Sequence, residues 1–206
     1  MSLSVSSILL AALLIACLGS FRWGMLKFFS QPAGATTGMK VISICGAASA
    51  LLHLAAIVLT PAIPASQALA GALVYLCALG LFWWAISTNS RRPLSAAFSP
   101  DSPEHLVERG PYRLIRHPFY CSYLLAWGAG IVATGRLWLI PTFAVMLLIY
   151  LRAARLEEAK FTRSELAGRY ARYRSRTGQL FPNPWKMILV RRPDDASEMA
   201  ADQPVA

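Results

Sequence analysis

Acidic side chains are missing from the first half of this chain. Residues 1–100 contain no aspartate or glutamate and only five Lys/Arg, and over all 206 residues the charged fraction is 15%. A water-soluble domain needs a solvated charged surface, so this shortage, with 56% hydrophobic residues and a mean hydropathy of +0.47, excludes an ordinary soluble fold. The same hydrophobicity excludes intrinsic disorder. Four cysteines, Cys17, Cys45, Cys77 and Cys121, have no CxxC spacing, which argues against a disulfide-stapled scaffold. The three histidines lack ligand spacing, so metal chemistry has little support, and there is no Gly-rich phosphate loop, nucleophile elbow or internal repeat. The net charge of +10 does not mark a nucleic-acid surface: fifteen of the basic residues and all ten acids lie beyond residue 100, as basic flanks of membrane segments would.

What the chain does have is apolar length. The expected fold is all-α, a single integral membrane domain over 1–206 with five spans near 3–19, 41–60, 68–87, 119–135 and 137–154. The last two are joined by a Gly-Arg turn and read as an antiparallel hairpin. Five spans place 19 of the 20 Lys/Arg on one face, leaving only Arg136 on the other. The positive-inside rule makes that face cytoplasmic and the N-terminus external, as expected in a bacterial inner membrane. The stretch ending at Cys17 looks like a lipoprotein cleavage box, but Met1 to Ser7 carries no positive charge, so a retained helix is expected. Residues 194–206 read as a disordered tail.

Polar residues gather in the loop from Asn89 to His117 and again after Leu151. The hairpin brings these stretches together. Eighteen residues separate His117 from Gly135, about 27 Å of helix, and eighteen beyond Arg136 comes Ala154, so the segment 152–158 should lie level with 113–120. In the run Gly110-Pro-Tyr-Arg-Leu-Ile-Arg-His-Pro-Phe-Tyr120, Pro118 suits the first helical position and makes His117 the cap. The positive end of that helix can bind an anion such as a carboxylate, with Tyr120 one turn deeper. In the plainer reading, His117 only caps and Arg113 and Arg116 face lipid phosphates. Arg155 can reach Glu158 by helical spacing, which leaves Glu157 seeking a cation; a solvated ion pair is again the plainer reading. A zwitterionic ligand would satisfy both ends of such a site. From Phe161 to Arg176, Tyr170 and Tyr173 alternate with arginines in the manner of an amphipathic helix on the membrane surface. His53, alone in the second span, is expected to hydrogen-bond to a neighbouring helix.

These residues carry a family pattern. His105-Leu-Val, Gly110-Pro-Tyr112, Arg116-His-Pro-Phe-Tyr120, Arg155-Leu-Glu157-Glu158, Tyr170-Ala-Arg-Tyr173 and a final Pro182 resemble the isoprenylcysteine carboxyl methyltransferase and phospholipid methyltransferase superfamily of integral membrane enzymes, over about residues 104–185. The resemblance implies S-adenosyl-L-methionine as methyl donor, held at the cytosolic end of the last two spans, and a lipophilic acceptor entering from the bilayer lipids. It implies cofactor-binding roles for His105, Tyr112, His117, Pro118, Tyr120, Glu157, Glu158 and Tyr170. Methyl transfer is an in-line displacement that needs alignment and exclusion of water more than a nucleophile. A carboxylate acceptor like isoprenylcysteine needs only an arginine to orient it (Arg113, Arg116 or Arg155), whereas an amine acceptor, as in phospholipid N-methylation, needs a base. Arg116, Arg155 and Glu158 are the catalytic candidates. Two departures stand out: Leu166-Ala167 where relatives have an aromatic-Gly step, and Gln179 where many have a basic residue. An NADPH-dependent membrane reductase and a non-enzymatic membrane protein are the competing readings.

Overall fold

The structure is a computed structural model, described for residues 4–30, 36–89, 94–95, 105–183 and 185. Its framework is helical: α1 (Val5–Phe28), α2 (Thr37–Leu59), α3 (Ala65–Asn89), α4 (Pro118–Thr134), α5 (Ile140–Phe161) and the short α6 (Ala167–Arg176). A two-residue parallel contact pairs Phe29–Ser30 with Leu94–Ser95 and forms no layer of its own. The tail proposed for 194–206 lies outside the described residues.

Local signals account for the helix ends. Thr36 caps α2, its hydroxyl accepting from the Met39 N–H at 3.3 Å. Pro61 and Pro64 separate α2 from α3. Gly135 closes α4 in the left-handed conformation (φ 64°), its N–H donating to Ile131 O, and Pro118 opens that helix at its first turn. The helices run further than the apolar stretches that announced them: α1 continues to Phe28 past Arg22 and Lys27, α2 starts before Lys40, and α5 reaches Phe161. Caps and prolines end a helix, whereas hydropathy marks only its immersed part, and long basic side chains can reach water from within it.

Among the described residues four helices are long and apolar enough to cross a membrane: α1, α2, α3 and the segment Leu137–Phe161 that contains α5. At 17 residues α4 is shorter than these. It is also the enclosed member of the bundle, touching α1, α2, α3 and α5 and burying 13 of its residues. The others turn large apolar side chains outward, among them Leu9, Ile44, Leu51, Leu69 and Leu148. Gly71 lets α3 lie close against α4: a Cβ there would collide with the Ala133 side chain and stand 2.8 Å from Ala133 Cα. Small residues at such contacts allow the backbones to approach where lipid offers no hydrophobic drive.

Polar tethers cross the bundle. His53 Nε2 lies 3.1 Å from Thr142 Oγ1, the interhelical bond expected of it. Arg136, at the turn between α4 and α5, donates through Nε to Thr60 Oγ1 at 3.2 Å. The end of α4 and the start of α5 are thereby tied to the end of α2, and at the opposite end of the pair the start of α4 meets the last turns of α5.

Candidate functional site

That opposite end is where the acids, the imidazole and the arginine converge. α4 starts at Pro118 with His117 as its N-cap residue, as expected, but the His117 side chain makes no capping bond. It turns instead to the last turns of α5, where Nε2 donates to Glu158 Oε1 at 3.0 Å and Nδ1 lies 3.5 Å from Glu157 Oε2. The Tyr120 hydroxyl, one turn deeper, donates to Glu157 Oε1. The Tyr120 ring stacks between His117, at 5.5 Å, and Tyr150, at 5.3 Å.

Glu158 is almost fully engaged. Arg116 reaches it with two nitrogens, Nε to Oε1 at 2.9 Å and Nη2 to Oε2 at 3.4 Å, and Gln179 Nε2 donates to Oε1 at 3.1 Å. Arg116 Nη1 also donates to the Thr177 carbonyl at 2.6 Å. The segment after α6 is strapped to the approach of α4: Arg116 N donates to Gly178 O at 2.9 Å and His117 N to Gln179 O at 3.1 Å. Gly178 is required there, because a Cβ would collide with the Phe181 carbonyl. Side-chain exposure separates the two acids, 9% for Glu158 and 27% for Glu157. Glu158 is therefore the internal counter-ion of the cluster, and Glu157 is the acid a ligand can reach.

One expected pairing is not made. Arg155 is exposed on the rim of α5, and the cation that meets Glu158 is Arg116, from 42 positions away. Helical spacing puts residues 155 and 158 on neighbouring faces, but only residue 158 points into the bundle. Arg113 is exposed as well. His117 likewise directs both ring nitrogens at the acids, so it orients them and is not free to bind a carboxylate.

The remaining predicted residues lie around this core. Pro118 is buried at the first turn of α4. Tyr112, buried in a 3₁₀ turn (Gly110–Arg113), has its hydroxyl on Asn89 Nδ2 at 2.9 Å and its carbonyl on the Tyr173 hydroxyl at 2.8 Å. Tyr170, on the inward face of α6, stacks on Phe161 at 4.9 Å. Its hydroxyl lies beside Glu158 without a hydrogen bond of good geometry; burial and that acid's charge raise its pKa. His105 is half-buried, in a run whose Arg109 donates to Thr88 O and whose Glu108 pairs with Arg169 of α6 at 2.6 Å. Sequence reasoning missed Asn89 and gave Gln179 no place in the cluster. A polar residue closing an otherwise apolar helix was the available signal for Asn89.

Burial by itself would lower the His117 pKa, but the hydrogen bonds and charges of Glu157 and Glu158 outweigh it and raise the pKa above that of an ordinary imidazole. The proton is held more tightly in the folded protein than in the unfolded chain. The resulting stability is fully present below ~6.5 and is lost as pH climbs through the raised native value. Thermal midpoints of the detergent-solubilised protein should therefore fall as pH rises through that interval, and His117→Gln should flatten the profile. An unchanged pH dependence in the variant would remove His117 as its source.

Among the described residues, Asn89 Oδ1, His105 Nε2 and Tyr170 Oη are buried with no hydrogen-bond partner, as are His53 Nδ1 and Tyr75 Oη. Each such atom costs roughly 1–3 kcal/mol, and Tyr170 Oη, beside Glu158, and Asn89 Oδ1, on the residue bonded to Tyr112, fit a site that receives a polar ligand. Among the described residues no group of three or more His, Cys, Asp or Glu stands together as a metal site.

Comparison with known families decides the kind of protein. The model for phospholipid methyltransferases matches residues 66–167. That segment belongs to the phospholipid methyltransferase family. It lies within the wider superfamily of membrane methyltransferases that includes the isoprenylcysteine carboxyl enzymes. No curated protein and no solved structure matches the chain. The methyltransferase segment contains Arg116, His117, Tyr120, Glu157 and Glu158, and it begins in α3, earlier than the pattern legible at 104–185, so Asn89 falls inside it. Tyr170 and Gln179 lie beyond its end and close the site from the C-terminal side.

Proposed function

We propose that this protein is an S-adenosyl-L-methionine-dependent methyltransferase that acts within the membrane on a lipophilic acceptor. The observation that carries the reading is the buried cluster of Arg116, His117, Tyr120, Glu157 and Glu158 inside a segment of the phospholipid methyltransferase family. When bound, S-adenosylmethionine supplies the sulfonium methyl group to be transferred. Glu157 takes the ammonium of its amino-acid end, and the unpartnered His105 Nε2 and Tyr170 hydroxyl are donors for its other polar groups. Arg116, His117, Gln179 and Glu158 act as positioning residues that hold Glu157 and the start of α4 in register. α6, with Tyr170 and Tyr173 facing inward and its arginines outward, lies on the membrane surface over the cofactor and keeps water from it. In this arrangement α4 is the fifth span, enclosed by the other four, with the N-terminus outside and the site on the cytoplasmic face.

One observation bears on the acceptor. Arg116 is committed to Glu158 and Thr177, and Arg113 and Arg155 are exposed, so the arginines considered for orienting an acceptor carboxylate are spent or displaced. This weighs against a carboxylate acceptor like that of isoprenylcysteine; an amine acceptor, as in phospholipid N-methylation, would need a base other than Glu157 and Glu158, which are already committed.

Calorimetric or radiolabel binding of S-adenosylhomocysteine to the detergent-purified protein tests the reading. Saturable binding in the micromolar range is expected, and thermal protection by the same ligand but not by NADPH. Absence of binding at millimolar ligand would overturn the proposal, and protection by NADPH alone would move the protein to the reductases.

A further inference from the structure

Asn89 closes α3 at the edge of the cluster, and its amide is held in one orientation. Nδ2 donates to the Ala85 carbonyl at 2.7 Å and to the Tyr112 hydroxyl at 2.9 Å, which leaves Oδ1 buried and without a partner. The Tyr112 hydroxyl accepts from Asn89, so its own hydrogen remains to be donated, and no hydrogen bond among the described residues uses it. The Tyr112 backbone is fixed in turn by the Tyr173 hydroxyl on its carbonyl. The two side chains thus present, side by side, an acceptor and a donor that the fold itself leaves unsatisfied.

That pairing is the complement of one edge of adenine, whose exocyclic amine donates and whose neighbouring ring nitrogen accepts. Resting on the cofactor reading above, we infer that Asn89 and Tyr112 form the base-reading subsite of the methyl donor: Asn89 Oδ1 accepts from the 6-amino group, and the Tyr112 hydroxyl donates to N1. Burial pushes the Tyr112 phenol above its ordinary pKa, so the hydroxyl keeps the hydrogen this role needs. The Glu157 carboxylate lies within electrostatic reach of the same hydroxyl. A site built to hydrogen-bond a given edge rejects an analogue lacking it far more strongly than an apolar pocket can, because its own buried groups are left unpaired.

The probes are S-adenosylhomocysteine and its 6-deaminated counterpart, S-inosylhomocysteine, in which a carbonyl replaces the amine and N1 carries a hydrogen. The wild-type protein in detergent is expected to bind the adenine compound on the order of 10- to 100-fold more tightly. Asn89→Leu and Tyr112→Phe should each reduce that preference to within roughly threefold. Because the readout is a ratio within one protein, a general loss of stability cancels, and Tyr112→Phe removes the donor even if Asn89→Leu fails to fold. Equal binding of both ligands by the wild type, as when the pair merely holds a water, overturns the subsite and leaves the methyltransferase reading intact. A preference that survives in the variants does the same. Failure of the wild type to bind either ligand overturns both.

Discussion

Replacing Glu158 by glutamine is expected to destabilise the folded protein by about 3–5 kcal/mol, more than any other single change in the cluster. The carboxylate is 9% exposed and accepts from Arg116, His117 and Gln179. Glutamine has nearly the same shape but offers one acceptor oxygen in place of two and no charge. The Arg116 guanidinium and the protonated imidazole would then sit buried beside an amide, and an unpaired buried charge is costlier than the pair was favourable. For a domain of this size the loss corresponds to a fall of roughly 10 °C in the thermal midpoint. Circular dichroism melts in one detergent at fixed pH measure it, and a fall of less than about 2 °C would show that Glu158 is not the counter-ion argued for. Adding Arg116→Met to Glu158→Gln should recover part of the loss, because the stranded cation is removed with its partner. Independent sites would give a simple sum instead.

Glu157→Gln should behave in the opposite way. Its side chain is 27% exposed, and its contacts are the Tyr120 hydroxyl and, at 3.5 Å, His117 Nδ1. Losing this charge removes one partner of a histidine that keeps Glu158, so the melt should shift by only a few degrees. Affinity for S-adenosylhomocysteine, however, should fall by roughly 10- to 100-fold, the usual worth of a hydrogen bond to a charged group. Titration calorimetry of the variant beside the wild type is the direct comparison. If Glu157→Gln melts early while Glu158→Gln melts normally and loses ligand, the two acids have been given each other's roles. Equal affinity in wild type and Glu157→Gln would remove Glu157 from the ligand altogether.

The meeting of Glu157 and Glu158 with His117 and Tyr120 was legible in the sequence because it follows from arithmetic. Two helices of similar rise joined by a tight turn must return to the same depth, and Pro118 fixes where one of them starts. The partner of each acid was not legible. Helical spacing offered Arg155 as the cation for Glu158, but spacing gives relative angle and not which face meets the bundle, and the face is set by how α5 leans on α4. Arg116 could be chosen only once the strap of Thr177 to Gln179 was seen to hold the approach of α4 in place. Asn89 escaped for a related reason: one polar residue at a helix end is compatible with capping, solvation or recognition, and only the unsatisfied Oδ1 distinguishes them. The enclosure of α4 was hidden as well, since its mean hydropathy resembles that of its lipid-facing neighbours; burial among apolar side chains and immersion in lipid select the same residues.

The strap also governs when the cluster can come into being. Its backbone bonds to Arg116 and His117 arrive some sixty positions later in the polypeptide than those residues themselves. In the growing chain the imidazole and both acids are therefore complete nineteen positions before Thr177, whose carbonyl is the last partner of the Arg116 guanidinium.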